Sequence, residues 1–257
     1  MIQLPNRWGE IVEETGKLSQ FAGNFFVQLF RPRFEGKEFL RQCYTIGYLS
    51  LGLVGLTGFI MGLVLTLQVR PIMLQYGVEA KIPAMVSLSI FREIGPVITA
   101  LIFSGKIGSS IGAELGSMKV TEQIDAMEVS GTNPYKFLVV TRVLACTLML
   151  PVLVLLADLI GLYGSFIGIN IHGSTSFALF FKQVFEAMSF GDVLPAFFKT
   201  FVFGYAVGII GCFKGFNSTK GTEGVGKSAN SAVVLSALAV FIIDLIAVQV
   251  TDLFNFT

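Results

Sequence analysis

The chain has 257 residues, of which 53% are hydrophobic and 14% charged, and its formal net charge is +1. A charge this close to zero argues against a basic nucleic-acid-binding surface, so we expect no nucleic-acid partner. Three widely spaced cysteines and a single histidine, His172, predict neither a disulfide framework nor a metal site.

The N-terminal 45 residues are too polar for a cleaved signal peptide, since they contain five acidic residues and no compact apolar core. Apolar side chains recur there with a helical period and form one stripe: Leu18, Phe21, Ala22, Phe25, Phe26, Leu29 and Phe30. Arg31, Pro32 and Arg33 are expected to end this helix. We predict an amphipathic helix in the cytoplasmic membrane interface, with packing on a helical bundle as the alternative.

Five long apolar blocks follow, and the first has 28 uncharged residues between Arg41 and Arg70. A helix of roughly 20 apolar residues crosses a bilayer, and such a span must be helical to satisfy its own backbone. We therefore predict an all-α membrane protein that forms a single domain over 1–257. The spans are expected near 46–68, 83–105, 143–169, 195–213 and 231–254. The fourth is short, so Lys199 and Lys214 at its ends are expected to reach the headgroups.

The distribution of basic residues predicts the orientation of these spans. With a cytoplasmic N-terminus, thirteen Lys and Arg residues fall on the cytoplasmic side and four on the outer side. This asymmetry follows the positive-inside rule. We therefore expect a cytoplasmic N-terminus and an outward-facing C-terminus.

Two adjacent charges, Arg92 and Glu93, lie in the middle of the second predicted span, and Pro96 follows them. A charge at this depth is costly unless it is paired or wetted, and a proline tends to kink the helix. We predict a polar gate or wet cavity here, with a buried structural ion pair as the alternative. Asp158 and Asp244 are the other intramembrane acids, and each is a candidate partner of Arg92.

Small residues continue this helix, with Gly108, Gly112 and Gly116 at four-residue spacing. Such spacing is typical of faces on which membrane helices approach closely. We expect packing within the chain, and some of these glycines are also candidates for a subunit interface.

The next segment, 112–134, is predicted to carry a short cytoplasmic coupling helix over 121–130. Thr121 is expected to cap this helix and Gly131 to end it. The segment also supplies further acidic and apolar residues expected at the contact: Glu114, Glu122, Asp125, Ile124 and Met127. A short amphipathic helix between two spans suits a groove on a cytoplasmic motor, with an ordinary surface helix as the alternative.

Residues 221–228 match the phosphate-loop pattern GxxxxGK[ST] at every fixed position. That motif binds nucleotide when a strand precedes it and a helix follows it within an α/β sheet. Here it lies between two membrane spans. We therefore predict a flexible cytoplasmic loop and no nucleotide site.

Three motifs resemble those of MlaE-type permeases, which are the membrane subunits of ABC transporters associated with MCE proteins. They are FREIGPV at 91–97, GAELGSMKVTEQIDAMEVSGTNP at 112–134 and GTEGVGKSANSAVV at 221–234. The resemblance extends over nearly all the chain from about residue 40. The third motif departs from the family pattern, because Lys227-Ser-Ala-Asn stands where Arg-Ala-Thr-Thr is frequent.

The resemblance implies a non-catalytic homodimer in the bacterial inner membrane that moves phospholipid between the inner and outer membranes. Its implied partners are two ATPase subunits that bind ATP and Mg, a periplasmic hexamer of MCE domains and, in some systems, a STAS-domain subunit. It also implies a lipid pocket near the dimer axis. Arg92, Glu93 and Asp244 match charged positions of that pocket.

Two other functions are compatible with a polytopic membrane protein. An ion-coupled secondary transporter would use Arg92, Glu93, Asp158 and Asp244 as a relay, but the five spans show no inverted repeat. An intramembrane hydrolase would need Ser109 or Ser110 beside a histidine, and the only histidine is expected in an outer loop.

Overall fold

Helices make up all the regular structure in the residues that the computed structural model describes, which are 7–31, 34–171, 173, 175–219 and 221–255. These are α1 (Arg7–Leu29), α2 (Gly36–Ile46), α3 (Leu51–Gln75), α4 (Ile82–Ser89), α5 (Gly95–Phe103), α6 (Ser109–Val120), α7 (Gln123–Val129), α8 (Thr141–Asn170), α9 (Phe177–Ala187), α10 (Phe190–Phe216) and α11 (Thr222–Asn255). The predicted all-α class is confirmed. Pro32, Arg33 and His172 lie outside the described residues.

Five continuous helical segments are long and apolar enough to cross a membrane, as predicted: Gly36–Gln75, Glu79–Val120, Tyr135–Asn170, Phe190–Phe216 and Thr222–Leu253. The second is 42 residues long, so our boundary at 105 was wrong and the helix continues to Val120. Lys106, which directly follows the predicted end of this span, therefore lies within the helix and donates to the carbonyl of Leu49.

The long helix α8 forms the centre of the bundle, between α3 on one side and α10 on the other. Glycines allow this approach, because a Cβ at Gly58 or Gly62 would overlap backbone atoms of α8. A Cβ at Gly204 of α10 would overlap the Cys146 carbonyl of α8 in the same way. Close backbone contact thus fixes the order of these three helices.

The three glycines of the second span lie on a face that packs within the chain. A Cβ added to Gly112 would lie 3.1 Å from the Cβ of Ala232 in α11. Gly108 is next to Ser236 of α11, and Gly116 is next to Ser218. The structure therefore uses these glycines to bring α6 against α11, which leaves them inside the chain.

Helix α1 lies against the bundle with one face and leaves the other exposed. Phe25 is buried, and the Phe21 ring packs against those of Tyr135 and Phe213, with centroid distances of 4.9 and 5.6 Å. Val27 and Phe30 are exposed. Packing on the bundle, our alternative, is thus present, and insertion of the exposed face into the membrane interface stays a prediction.

The segment that matches the phosphate loop is helical, so our prediction of a flexible loop there was wrong. Helix α11 begins at Thr222, directly after Gly221, whose φ is +95°. The amide of Val225 already donates to the Gly221 carbonyl at 3.4 Å. From Val225 onward the amides donate within the helix, so those of Gly226, Lys227 and Ser228 are not free to form the cradle that a nucleotide phosphate needs.

Candidate functional site

Three charged side chains from three spans meet within the bundle. The ammonium of Lys199 in α10 lies 2.7 Å from Oε2 of Glu93 and 2.9 Å from Oδ1 of Asp244 in α11. The Lys199 side chain is only 5% exposed. We call Glu93, Lys199 and Asp244 the buried triad. Because two carboxylates compensate one buried cation, the triad holds these three helices together by charge.

Arg92 belongs to a second set of contacts beside the triad. Its guanidinium lies 3.2 Å from Oδ1 of Asp252 and 3.8 Å from Oδ1 of Asp192. Asp192 is in the first turn of α10, and Asp252 is close to the end of α11. Arg92 therefore lies near one end of the bundle and not at mid-span as we predicted, because both of its partners are at helix ends.

Neither acid that we proposed as a partner of Arg92 forms that pair. Asp244 binds Lys199 instead. Asp158 is buried, and its Oδ1 accepts no hydrogen bond from the residues that the structure describes. A Cβ at Gly95 would overlap this oxygen, so the absence of a side chain at Gly95 lets Asp158 lie against the second span.

A local change of helix type positions Arg92 and Glu93. Residues Ile90–Ile94 form a π-helical segment, and Gly95 and Pro96 begin α5 directly after it. Because proline cannot donate a backbone hydrogen bond, the helix must change its pairing at this point. Such π segments are frequent at functional sites, since they change the direction of the side chains within a helix.

Lys199 is the site residue that we missed, because we interpreted it as the outer end of a short span. The helix in fact begins at Phe190, about two and a half turns before Lys199. Only 14 uncharged residues follow Lys199, which is fewer than a bilayer crossing requires. That shortage was the signal that Lys199 lies inside the span.

The cleft beside the triad is narrow in a single chain. Arg92, Glu93, Asp192 and Lys199 are among its lining residues, and its volume is about 10 Å³. This is about the space of one water molecule. The described part of this chain alone therefore does not form the lipid-sized pocket that we expected at Arg92 and Glu93.

A second ion pair joins α6 and α8, the two helices on either side of α7. Nη2 of Arg142 in α8 lies 2.7 Å from Oε1 of Glu114 in α6, and Nη1 donates to the Leu138 carbonyl at 3.1 Å. The Arg142 side chain is 2% exposed. The segment between α6 and α8 is thus tied at its base, and we missed Arg142 because we counted it only as a loop cation.

The coupling helix exists, but Thr121 does not cap it. The Thr121 hydroxyl donates to the Ser117 carbonyl at 2.8 Å, which places it at the end of α6. The residue before α7 is Glu122, with a left-handed φ of 59°. Asp125 lies in the first turn and pairs with Lys119 at 2.7 Å. Gly131, with a φ of 80°, follows the end of the helix.

The apolar side of α7 faces its own chain. Ile124 is 2% exposed, and Met127 packs against the same core. The side chains directed outward are those of Asp125, Ala126, Glu128 and Val129, and Val129 is 91% exposed. Our assignment of Ile124 and Met127 as the surface for a partner is therefore corrected, because a helix on short connections buries its apolar side against the bundle.

Comparison with known proteins identifies a family-level similarity over most of the chain. The family model described as Permease MlaE matches residues 39–250. A probable ABC transporter permease protein of Synechocystis sp. is 38% identical over 221 residues, which cover 86% of this chain and 84% of the relative. A probable ABC transporter permease protein of Rickettsia bellii is 35% identical over 95% of this chain and 93% of its own length.

A plant protein is also similar. The protein TRIGALACTOSYLDIACYLGLYCEROL 1, chloroplastic, of Arabidopsis thaliana is 32% identical over 225 residues. The match covers 88% of this chain and 64% of the plant protein.

Proposed function

This chain belongs to the MlaE family of ABC transporter permeases, and we propose that it moves phospholipid between the inner and outer membranes of a bacterium. An ABC permease is the multi-pass, non-catalytic membrane component, and its family implies ATPase partner subunits. Those partners supply the ATP and Mg chemistry. The main observation in support of the proposal is the buried triad, because its ion pairs join three spans and would break if the spans moved apart.

Lipid as the cargo is supported by two observations. The name of the plant relative refers to a diacylglycerol lipid. In this chain, large apolar side chains cover the exposed faces of α3, α8 and α11, which suits contact with acyl chains. A double-tailed lipid needs an apolar path for its chains and a few charged groups for its head.

The triad and Arg92 are proposed as the gate and the headgroup contact of that path. Lys199 is shared between Glu93 and Asp244, so separation of α10 from α11 would break at least one ion pair. Arg92 is about one-third exposed and carries a guanidinium that matches a lipid phosphate. We propose that a second copy of the chain supplies the opposite wall of the pocket, because the cleft of one chain is only about 10 Å³.

We propose that α7 transmits the conformational change of the ATPase subunits to this chain. Its outward residues, among them Val129, would seat on the ATPase, and Glu114 with Arg142 would transmit a tilt of α7 to α6 and α8. A tie at the base of a short helix turns a small displacement into a rigid-body motion of the spans. The complete proposed assembly is a homodimer with two ATPase subunits and a periplasmic MCE hexamer, joined in some systems by a STAS-domain subunit, in the bacterial inner membrane with the C-terminus outward.

The test compares Arg92→Ala and Glu93→Ala in the assembled complex, with Lys182→Ala as a matched control. Lys182 is exposed on α9 and pairs only with Glu186 of the same helix among the described residues. We expect folded, assembled complexes in which both variants crosslink less photoactivatable phospholipid than the control does. Normal crosslinking and normal transfer by both variants would show that Arg92 and Glu93 have no role at the lipid site.

A further inference from the structure

At the other end of the bundle, α1 and the ends of α10 and α11 line an open cavity of about 490 Å³ with a mixed polar and apolar surface. Its volume lies within the range of small-molecule sites in proteins, about 300–1,000 Å³. Helix α1 forms one wall, and the first turns of α11 form another. None of the residues of the buried triad lines this cavity. The two sites are therefore separate features of the molecule.

The charges that line the cavity leave one cation uncompensated. Lys17 pairs with Glu13 at 2.6 Å, and Lys214 pairs with Glu14. Lys227 forms no ion pair with any residue in the described part of the chain, and its side chain is exposed. Three lysines and two glutamates leave a net charge of +1, which is the charge that complements a phosphodiester.

The hydroxyl of Ser228 adds a hydrogen-bond donor next to Lys227. Ser228 is 7% exposed and lines the cavity. Its hydroxyl has no hydrogen-bond partner among the residues that the structure describes. This oxygen is not among the fully buried polar atoms that lack a partner, so it is accessible from the cavity and can donate a hydrogen bond to a ligand there. An ammonium and a hydroxyl side by side suit a phosphate oxygen.

The position of α1 indicates where such a phosphate would come from. Its exposed side chains include the apolar residues Val12 and Val27. An amphipathic helix with such a face lies at headgroup depth in a membrane. Our prediction that α1 lies in the membrane interface would place the opening of the cavity at the level of the phospholipid headgroups, where their local concentration is high.

We propose that this cavity binds the phosphate group of a phospholipid in the adjacent leaflet, with Lys227 and Ser228 as the recognising residues. The lipid held here would tie α1 to the ends of α10 and α11. The same chemistry would also recognise free inorganic phosphate, so the experiment must separate these two sources. The proposal does not depend on the transport function, because binding is measured without ATP.

The experiment places a photoreactive residue, p-benzoylphenylalanine, at Asn217 of the full chain in the assembled transporter. Asn217 is an exposed residue of the cavity wall. The complex is irradiated in nanodiscs of phosphatidylglycerol, and lipid adducts are quantified by mass spectrometry. We expect an adduct that falls about tenfold in Lys227→Gln, because a hydrogen bond to a charged group is worth about one order of magnitude in affinity.

Two further variants and a phosphate arm complete the test. Ser228→Ala should lower the adduct in the same direction, and Lys227→Arg should restore it, because the charge is retained. Lys37→Gln is the matched control, since Lys37 is exposed on α2 and does not line the cavity. It should leave the adduct unchanged.

Each other result overturns the proposal. An adduct of equal yield in Lys227→Gln and the unmodified chain would show that Lys227 does not recognise the phosphate. Absence of the adduct, together with Lys227-dependent binding of radiolabelled inorganic phosphate, would assign the cavity to free phosphate and refute the lipid. Absence of both would show that the cavity binds neither.

Discussion

Replacement of Lys199 by Met tests the buried triad most severely. The substitution retains the length of the side chain and removes the cation that Glu93 and Asp244 share. Removal of one partner from a fully buried ion pair costs about 3–5 kcal/mol. The carboxylates here are 37% and 19% exposed, so water compensates part of the loss. We therefore expect a loss at the low end, about 3 kcal/mol.

The assay is thermal unfolding of the assembled complex, measured beside ATP-driven lipid transfer. Lys199→Met should lower the Tm and abolish transfer, and Lys199→Arg should retain most of the stability. The decisive variant is Lys199→Met with Glu93→Gln and Asp244→Asn, which removes all three charges. We expect it to regain stability without regaining transfer. If it regains both, the triad only holds helices together, and our argument for a gate is refuted.

Substitutions at Gly62, Val129 and Arg142 test three separate parts of the structure, the first two beside a comparison variant. Gly62→Ala should lower the free energy of unfolding by about 1–3 kcal/mol in thermal or denaturant unfolding, because its Cβ would overlap α8, whereas Gly52→Ala, in open space, should not. Val129→Asp should reduce co-purification of the ATPase without a change in Tm, whereas Ile124→Asp should lower the Tm by burying a charge. Arg142→Met should leave lipid crosslinking intact but reduce the stimulation of ATPase activity by lipid. Unchanged stimulation would show that the ion pair of Glu114 and Arg142 does not transmit movement of α7.

The number and type of the spans were predictable because long uncharged blocks leave few alternatives in a bilayer. Their ends were not. The second helix continues to Val120 because Gly108, Gly112 and Gly116 pack against α11 beyond the length that a bilayer crossing requires. A hydropathy profile identifies the residues that cross the apolar layer. It does not show how far a helix continues when contacts with another helix stabilise it beyond that layer.

The candidate site was predictable only in part. The charges at Arg92, Glu93 and Asp244 were evident because charge is rare in apolar segments. The ion pairs that these charges form were not evident, because they depend on how α10 and α11 are rotated about their axes. We therefore missed Lys199 and wrongly considered Asp158 as a partner of Arg92. The end of α7 at Gly131 was predictable because it depends on the local sequence. The burial of Ile124 was not predictable, because it depends on how α7 packs against the rest of the chain.

The central claim is that this permease moves lipid by ATP hydrolysis in a partner and uses the buried triad to do so. The most direct measurement is phospholipid transfer from proteoliposomes that contain the complete complex, with and without ATP and with a protonophore. We predict transfer that requires ATP, persists with the protonophore and is lost in Lys199→Met. Transfer that is driven by an ion gradient in the absence of ATP would contradict this account.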